Sequence, residues 1–192
     1  MSDSSNHVLA ACVERFCHQQ AVSFLTGVTF ESLSEAPELF VDDWVASVCL
    51  QTEKASVDLQ VFFNEEASQA VLAKVMSAYP APSREYTGQE VMQECLNVVI
   101  GRIKGIIATE LKVVRGKKTF LPTLRRVGTA DLTREQKKKG TYSIWWDMNW
   151  SGHRLSVSCD VMLFEELSSE VLDYLKSAQL VEESSEEIFK FL

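Results

Sequence analysis

Glu94 and Asn97 are the residues whose types and spacing most clearly suggest chemistry, and they lie within a segment of helical periodicity. An α-helix turns by about 100° per residue, so a carboxylate and a carboxamide three positions apart project side by side from one surface. The carboxylate accepts hydrogen bonds, and the carboxamide both donates and accepts them. The two head groups can therefore reach one target together.

The helix that carries this pair is predicted from about Thr87 to Leu111, and it has two different faces. Apolar side chains gather on one face: Met92, Cys95, Leu96, Val99, Ile103 and Ile106. Polar or small residues accompany Glu94 and Asn97 on the other face: Glu90, Gln93, Gly101, Lys104, Gly105 and Ala108. We expect the first face to pack in the core and the second to be accessible to a partner.

The length and charge of the chain limit its class. Its 192 residues suffice for one domain with a substantial core, and no linker rich in Pro, Gly or Ser divides them. With 27 acidic and 19 basic residues, the net charge of -8 opposes binding to nucleic acid or an anionic membrane. The sequence has neither a membrane-spanning apolar run nor the features of a signal peptide at its start. We therefore expect a cytosolic protein whose five scattered cysteines are reduced thiols.

Periodicity along the chain predicts helices and strands in alternating groups. The predicted elements are a helix from about His7 to Gly27, a hairpin of strands 41–50 and 57–63, a short helix from Asn64 through Met76, the central helix, a strand around 120–127, a second hairpin of strands 142–148 and 155–161 that turns at 150–153, and a last helix from Ser168 or Ser169. Adjacent pairs of strands separated by helices indicate an α+β fold with a mainly antiparallel sheet. An acidic extension follows from about 180 to 192, as a terminal helix or as a docking peptide.

The order of these elements and the residues around Glu94 resemble the CheC/CheX family of bacterial chemotaxis phosphatases. Glu94 and Asn97 form a mid-helix Glu-x-x-Asn motif, Gly101 follows four positions later, and Pro122 opens the next strand about 25 residues after Asn97. CheC-type proteins carry two such helices, whereas this chain has a single Glu-x-x-Asn motif, which favours CheX. The resemblance implies a sheet of hairpins flanked by long helices.

The resemblance also implies an activity, the hydrolysis of the aspartyl phosphate of a CheY-like response-regulator receiver domain in chemotaxis or two-component signalling. Glu94 and Asn97 would be catalytic, with Asn97 orienting the attacking water and Glu94 pairing with a lysine of the receiver. Glu90, Gly101 and Lys104 would contact the partner. The chain would need no cofactor of its own, because the receiver supplies Mg²⁺, and a homodimer would be expected.

Glu90 departs from the family pattern, which has Asp or Ser four residues before the glutamate. A longer side chain at this position leaves an alternative function open. In that alternative, the protein is a noncatalytic CheX-like adaptor that binds a receiver domain or a flagellar or signalling component. A third interpretation is a dimeric scaffold unrelated to phosphorelays.

Two other groups of residues each allow two interpretations. Basic residues between Arg115 and Lys139 are either solvated loops or a surface that attracts the acidic phosphorylation face of a receiver. The tryptophans at 145, 146 and 150 either pack beneath helices or form a surface for self-association.

Two further predictions concern the glycines of the central helix and the residues that could bind a metal. Gly101 and Gly105 either leave room for a partner or let another helix of the same domain pack closely. The three histidines are far apart in sequence, and no pair of cysteines has the spacing of a zinc site, so no metal centre is expected.

Overall fold

The computed structural model describes residues 3–40, 42–78, 85–110, 118–119, 122–128, 131 and 140–177. Within these residues the chain forms four helices and a seven-stranded sheet. In chain order they are α1 (Asp3–Phe24), β1 (Thr29–Leu33), β2 (Trp44–Gln51), β3 (Ala55–Phe63), α2 (Glu65–Ala78), α3 (Gly88–Glu110), β4 (Lys118–Thr119), β5 (Thr123–Arg126), β6 (Tyr142–Trp150), β7 (His153–Leu163) and α4 (Ser169–Ser177). The predicted α+β class is confirmed, and the acidic extension lies outside the described residues.

The sheet is antiparallel at every pairing, in the order β1-β6-β7-β3-β2, with β4 and β5 both on the outer edge of β2. Each half of the chain supplies a long helix, an edge strand and a hairpin, and the two halves exchange their edge strands. β1 pairs with β6 of the second hairpin, and β5 pairs with β2 of the first. This exchange places the segment that follows α3 beside the first hairpin. The sequence did not predict β1.

The two predicted hairpins are confirmed, and each turn has a local cause. Ser151 and Gly152 both have positive φ, at 50° and 81°, which is the backbone of a two-residue turn that matches the twist of its strands. Trp150 and His153 pair across that turn. In the β2–β3 turn, the Thr52 hydroxyl accepts hydrogen bonds from the Lys54 and Ala55 backbone amides at 3.2 and 2.9 Å.

The main core lies between the helices and one face of the sheet. It includes alternate residues of the four long strands, among them Leu59, Trp146 and Cys159, together with Phe16 of α1 and Ile100 of α3. The five cysteines are free thiols. Among the described residues, no helix has the length and apolarity needed to cross a bilayer.

The opposite face of the sheet carries a second, smaller apolar cluster. Val45, Phe62 and Val127 are buried there, and the Trp145 ring stacks on Phe62 at a centroid distance of 5.8 Å. Trp146, which is fully buried, lies on the helix-covered face of the sheet, and Trp150 donates its indole N–H to the Thr26 carbonyl. Trp146 and Trp150 therefore pack inside the domain, whereas a self-association surface that includes the half-buried Trp145 stays a prediction.

Gly88, the first residue of α3, lies against Ser68 of α2. A Cβ atom at this position would come within 2.6 Å of the Ser68 backbone carbonyl, which has no flexible group to move aside. We expect Gly88→Ala to destabilise the fold by about 1–3 kcal/mol, the usual cost of overpacking. Urea denaturation would measure it. Gly105→Ala is the matched control, because no described atom lies within 4 Å of a Cβ there, and it should gain up to about 1 kcal/mol. Equal effects of the two substitutions would contradict the close approach.

Candidate functional site

The N-terminus of α3 is fixed by a reciprocal cap. The Thr87 hydroxyl accepts a hydrogen bond from the Glu90 backbone amide at 3.2 Å, and a Glu90 carboxylate oxygen accepts from the Thr87 backbone amide at 2.8 Å. This is a capping box, which satisfies two of the backbone donors left unpaired at a helix start. The predicted helix start at Thr87 is therefore confirmed: Thr87 caps the helix, and Gly88 is its first residue.

The capping box gives Glu90 a structural role that sequence reasoning did not assign. Its contact with a partner stays a prediction. Glu90→Ala should lower the free energy of unfolding by about 1 kcal/mol, because the cap is lost, whereas Glu90→Gln keeps an acceptor and should retain most of it. Urea denaturation of the two variants would compare them. Equal losses would show that the charge of Glu90, and not the cap, stabilises the helix.

Glu94 and Asn97 lie side by side on α3, as predicted. Both are half-buried, and the Asn97 amide nitrogen donates to a Glu94 carboxylate oxygen at 3.5 Å, the outer limit for a hydrogen bond. Among the described residues, neither head group has another hydrogen bond or an ion pair. Within the part of the chain that the structure describes, the pair is therefore not part of the hydrogen-bond and ion-pair network that holds the domain together.

Gly101 is exposed one turn after Asn97, and Lys104 is half-buried beyond it. A Cβ atom built on Gly101 or on Gly105 would meet no described atom within 4 Å. The alternative that these glycines let another helix of the same domain pack closely is therefore wrong for the described part of the chain. The absence of a side chain at Gly101 leaves the backbone of α3 open beside Asn97.

The segment that contains Pro122 lies directly beside the first half of α3. Pro122 is buried, and its carbonyl accepts a hydrogen bond from the Gln93 carboxamide. The strand that follows pairs with β2, where the Thr123 and Ser47 hydroxyls are 2.7 Å apart. The sequence analysis placed Gln93 on the polar face of the helix, with Glu94 and Asn97, but gave it no role. The spacing of Gln89, Gln93 and Asn97, one amide every four residues, was the signal that could have drawn attention to it.

Beneath the pair, α3 covers an apolar cavity of about 60 Å³. Four residues of α3 line it: Met92, Cys95, Leu96 and Val99. Burial of the thiol, with the Glu94 carboxylate next to it, raises the pKa of Cys95 to about 12. A thiol with so high a pKa is a poor nucleophile at neutral pH, because the thiolate is the reactive form. Cys95 therefore serves packing and is not a candidate nucleophile.

Two of the basic residues between 115 and 139 have described side chains, and both have partners within the domain. Arg125 forms a bidentate pair with Asp131 at 2.5 and 2.7 Å. Arg126 lies over the Trp44 ring at 3.9 Å and donates to the Asp42 carbonyl. Attraction of a receiver by the basic segments stays a prediction, since most of their side chains lie outside the described residues.

Within the described ranges, no three His, Cys, Asp or Glu side chains gather as metal ligands do.

Comparisons with known proteins identify the fold. No family model matches the sequence, and no curated protein matches it. Solved structures do match: a CheC-like superfamily protein from Shewanella sp. PV-4 (TM-score 0.57, 10% identity, covering 84% of this chain and 99% of that one) and the chemotaxis protein CheX from Vibrio vulnificus (0.56, 13%, 79% and 99%). A third match is the CheX-CheY-BeF3-Mg complex from Borrelia burgdorferi (0.55, 13%, 79% and 96%). The chain therefore has the fold of CheC and CheX proteins, and the resemblance read from the sequence is confirmed at that level.

Proposed function

We propose that this protein is a phosphatase that hydrolyses the aspartyl phosphate of a CheY-like receiver domain in chemotaxis or two-component signalling. The observation that carries the proposal is the Glu94–Asn97 pair, two adjacent polar heads that the described domain does not use for its own hydrogen bonding beyond one long contact. The fold supports the proposal, because CheC and CheX proteins share it. One of the similar structures contains CheX together with CheY, which supports a receiver as the partner.

The reaction would need little chemistry from this chain. An aspartyl phosphate is an activated acyl phosphate, so the main requirement is a water molecule placed in line with the bond that breaks. The water oxygen attacks phosphorus, the bond from phosphorus to the aspartate oxygen breaks, and a water proton passes to a phosphoryl oxygen. Free aspartate and inorganic phosphate result, and no covalent bond to this protein forms.

Asn97 and Glu94 would divide the work between orientation and docking. The Asn97 carboxamide can accept a hydrogen bond from the attacking water and donate to an oxygen nearby, which fixes the direction of attack. The Glu94 carboxylate would pair with the lysine beside the receiver's phosphorylation site and so seat α3. Mg²⁺ held by the receiver would neutralise charge on the phosphoryl oxygens. Among the described residues, Glu94 is the carboxylate in contact with Asn97, and the carboxylate of Glu90 is engaged in its cap. We therefore expect the receiver, and not this chain, to supply the Mg²⁺.

The direct test is to phosphorylate a panel of the host's receivers and to follow loss of the acyl phosphate with and without the purified protein. We expect substoichiometric amounts to accelerate loss from at least one receiver. Binding without any acceleration would instead favour the noncatalytic adaptor. If the protein neither binds any receiver of the panel nor accelerates its dephosphorylation, the result would support a scaffold unrelated to phosphorelays. Sedimentation of the purified chain would test the proposed homodimer, and fractionation of host cells the proposed cytosolic location.

A further inference from the structure

Three carboxamides follow one another along α3 at intervals of four residues, and they differ in what they bind. Gln89 donates to the Glu65 carboxylate of α2, and Gln93 donates to the Pro122 carbonyl. Asn97 has its one long contact with Glu94. Residues four apart lie on one ridge of a helix, so the first two amides tie the ridge to its surroundings and the third projects from it.

The core side of α3 is well buried but not completely filled. The cavity of about 60 Å³ lies under Met92, Leu96 and their neighbours, on the same stretch that carries the Glu94–Asn97 pair. Side chains that face an empty space lack the dispersion contacts that would hold them in place. Polar contacts on the other side of this part of the helix would therefore add to the packing in restraining the rotation of α3 about its axis.

The Gln93–Pro122 hydrogen bond is placed to provide that restraint. It joins the side of α3 to a buried proline carbonyl, next to a strand that is paired with β2 from Thr123 to Arg126. A helix with its side chains has a radius of about 5–6 Å, so a rotation of about 10° would move a head group by about 1 Å. An error of that size in the position of a reacting group can cost about 10² in rate.

We propose that Gln93 is a positioning residue of the site, which holds the Pro122 carbonyl and thereby sets the direction in which Glu94 and Asn97 project. The inference rests on the proposed phosphatase function and extends it to a residue that does not touch the reacting atoms. A small rotation of α3 would move both head groups, but the attacking water requires an accurate position of the Asn97 amide, whereas the longer and more flexible Glu94 side chain can still reach a lysine of the receiver. Its loss should therefore lower kcat more than it changes KM.

The test compares Gln93→Met with Gln89→Met in the full-length protein. Both substitutions replace an amide by an apolar side chain of similar length on the same ridge, but Gln89 is two turns from Asn97. We expect Gln93→Met to lower kcat about tenfold or more with KM within about twofold, and to shift the side-chain amide resonance of Asn97 in NMR spectra. Gln89→Met should leave both readouts near those of the wild type.

The possible results separate this inference from the proposed function. A wild type that accelerates dephosphorylation, with equal kcat for it and for Gln93→Met, overturns the positioning role alone. A raised KM with unchanged kcat also overturns it, since Gln93 would then contact the receiver directly. A wild type with no effect on any phosphorylated receiver overturns the proposed function, and the inference with it.

Discussion

Asn97→Ala should lower the rate of receiver dephosphorylation by about 10²-fold, the loss typical when one preorganised hydrogen-bonding group is removed from a transition state. The physical reason is that alanine cannot orient the water, whereas Mg²⁺ and the lysine of the receiver remain in place. The effect should appear in kcat, measured as loss of acyl phosphate at saturating receiver. Fold stability should change little, because the one described side-chain contact of Asn97 is a 3.5 Å bond to Glu94.

Glu94→Ala is the matched control, since it removes the other head group from the same turn of the helix. If Glu94 pairs with the receiver's lysine, this substitution should weaken binding of the receiver more than Asn97→Ala does, and KM should rise. Equal dephosphorylation rates for wild type and Asn97→Ala would defeat the catalytic assignment. Identical effects of the two substitutions on kcat and KM would show that water orientation and docking are not divided between them.

The features predicted well from the sequence are those fixed by contacts between near neighbours in the chain. Asn64 caps α2 through a 2.8 Å bond from the Ala67 backbone amide, only three residues away. The start of α3, predicted at Thr87, is closed over the same distance by hydrogen bonds between Thr87 and Glu90. The Ser151-Gly152 turn joins β6 and β7, which are paired from the residues next to the turn, Trp150 and His153, onward. Such signals depend on residue type and spacing alone, so a sequence displays them directly.

The strand β1 could not be predicted in this way, because distant residues create it. Its five residues alternate poorly, with only Phe30 and Leu33 half-buried, and its partners on β6 follow more than 100 positions later in the chain. The pairing arises from the exchange of edge strands between the halves, which is a property of the topology. The first helix shows a smaller difference in its bounds, since α1 runs from Asp3 to Phe24 and the prediction ran from about His7 to Gly27.

The candidate site shows the same division between local and distant causes. The Glu94–Asn97 pair and the open backbone at Gly101 follow from helical spacing, and the structure places them as predicted. The hydrogen bond of Gln93 depends on a carbonyl 29 residues away in the chain. The lack of space for a side chain at Gly88 depends on backbone atoms of Ser68 in another helix. Neither partner could be read from residue types, although the four-residue spacing of Gln89, Gln93 and Asn97 marks Gln93 as one of a row of amides.

Gly101→Gln should stabilise the isolated protein and impair its function. Glutamine favours helix over glycine by about 0.5 kcal/mol or more, and no described atom lies within 4 Å of a Cβ at this position. A docked receiver would meet the new side chain one turn from Asn97. A displacement of the partner by about 1 Å would lower kcat/KM by about 10²-fold.

Gly105→Gln is the control for this result, because Gly105 has the same open surroundings one turn farther from Asn97. It should give a similar gain in the free energy of unfolding, measured with urea, but a smaller loss of kcat/KM. If both variants dephosphorylate the receiver as fast as the wild type does, the partner does not approach α3 along this ridge. The docking arrangement would then be wrong even if Asn97 proved to be catalytic. A receiver that packs against the exposed backbone at Gly101 while its phosphoryl group lies beside Asn97 cannot accommodate a long side chain at position 101.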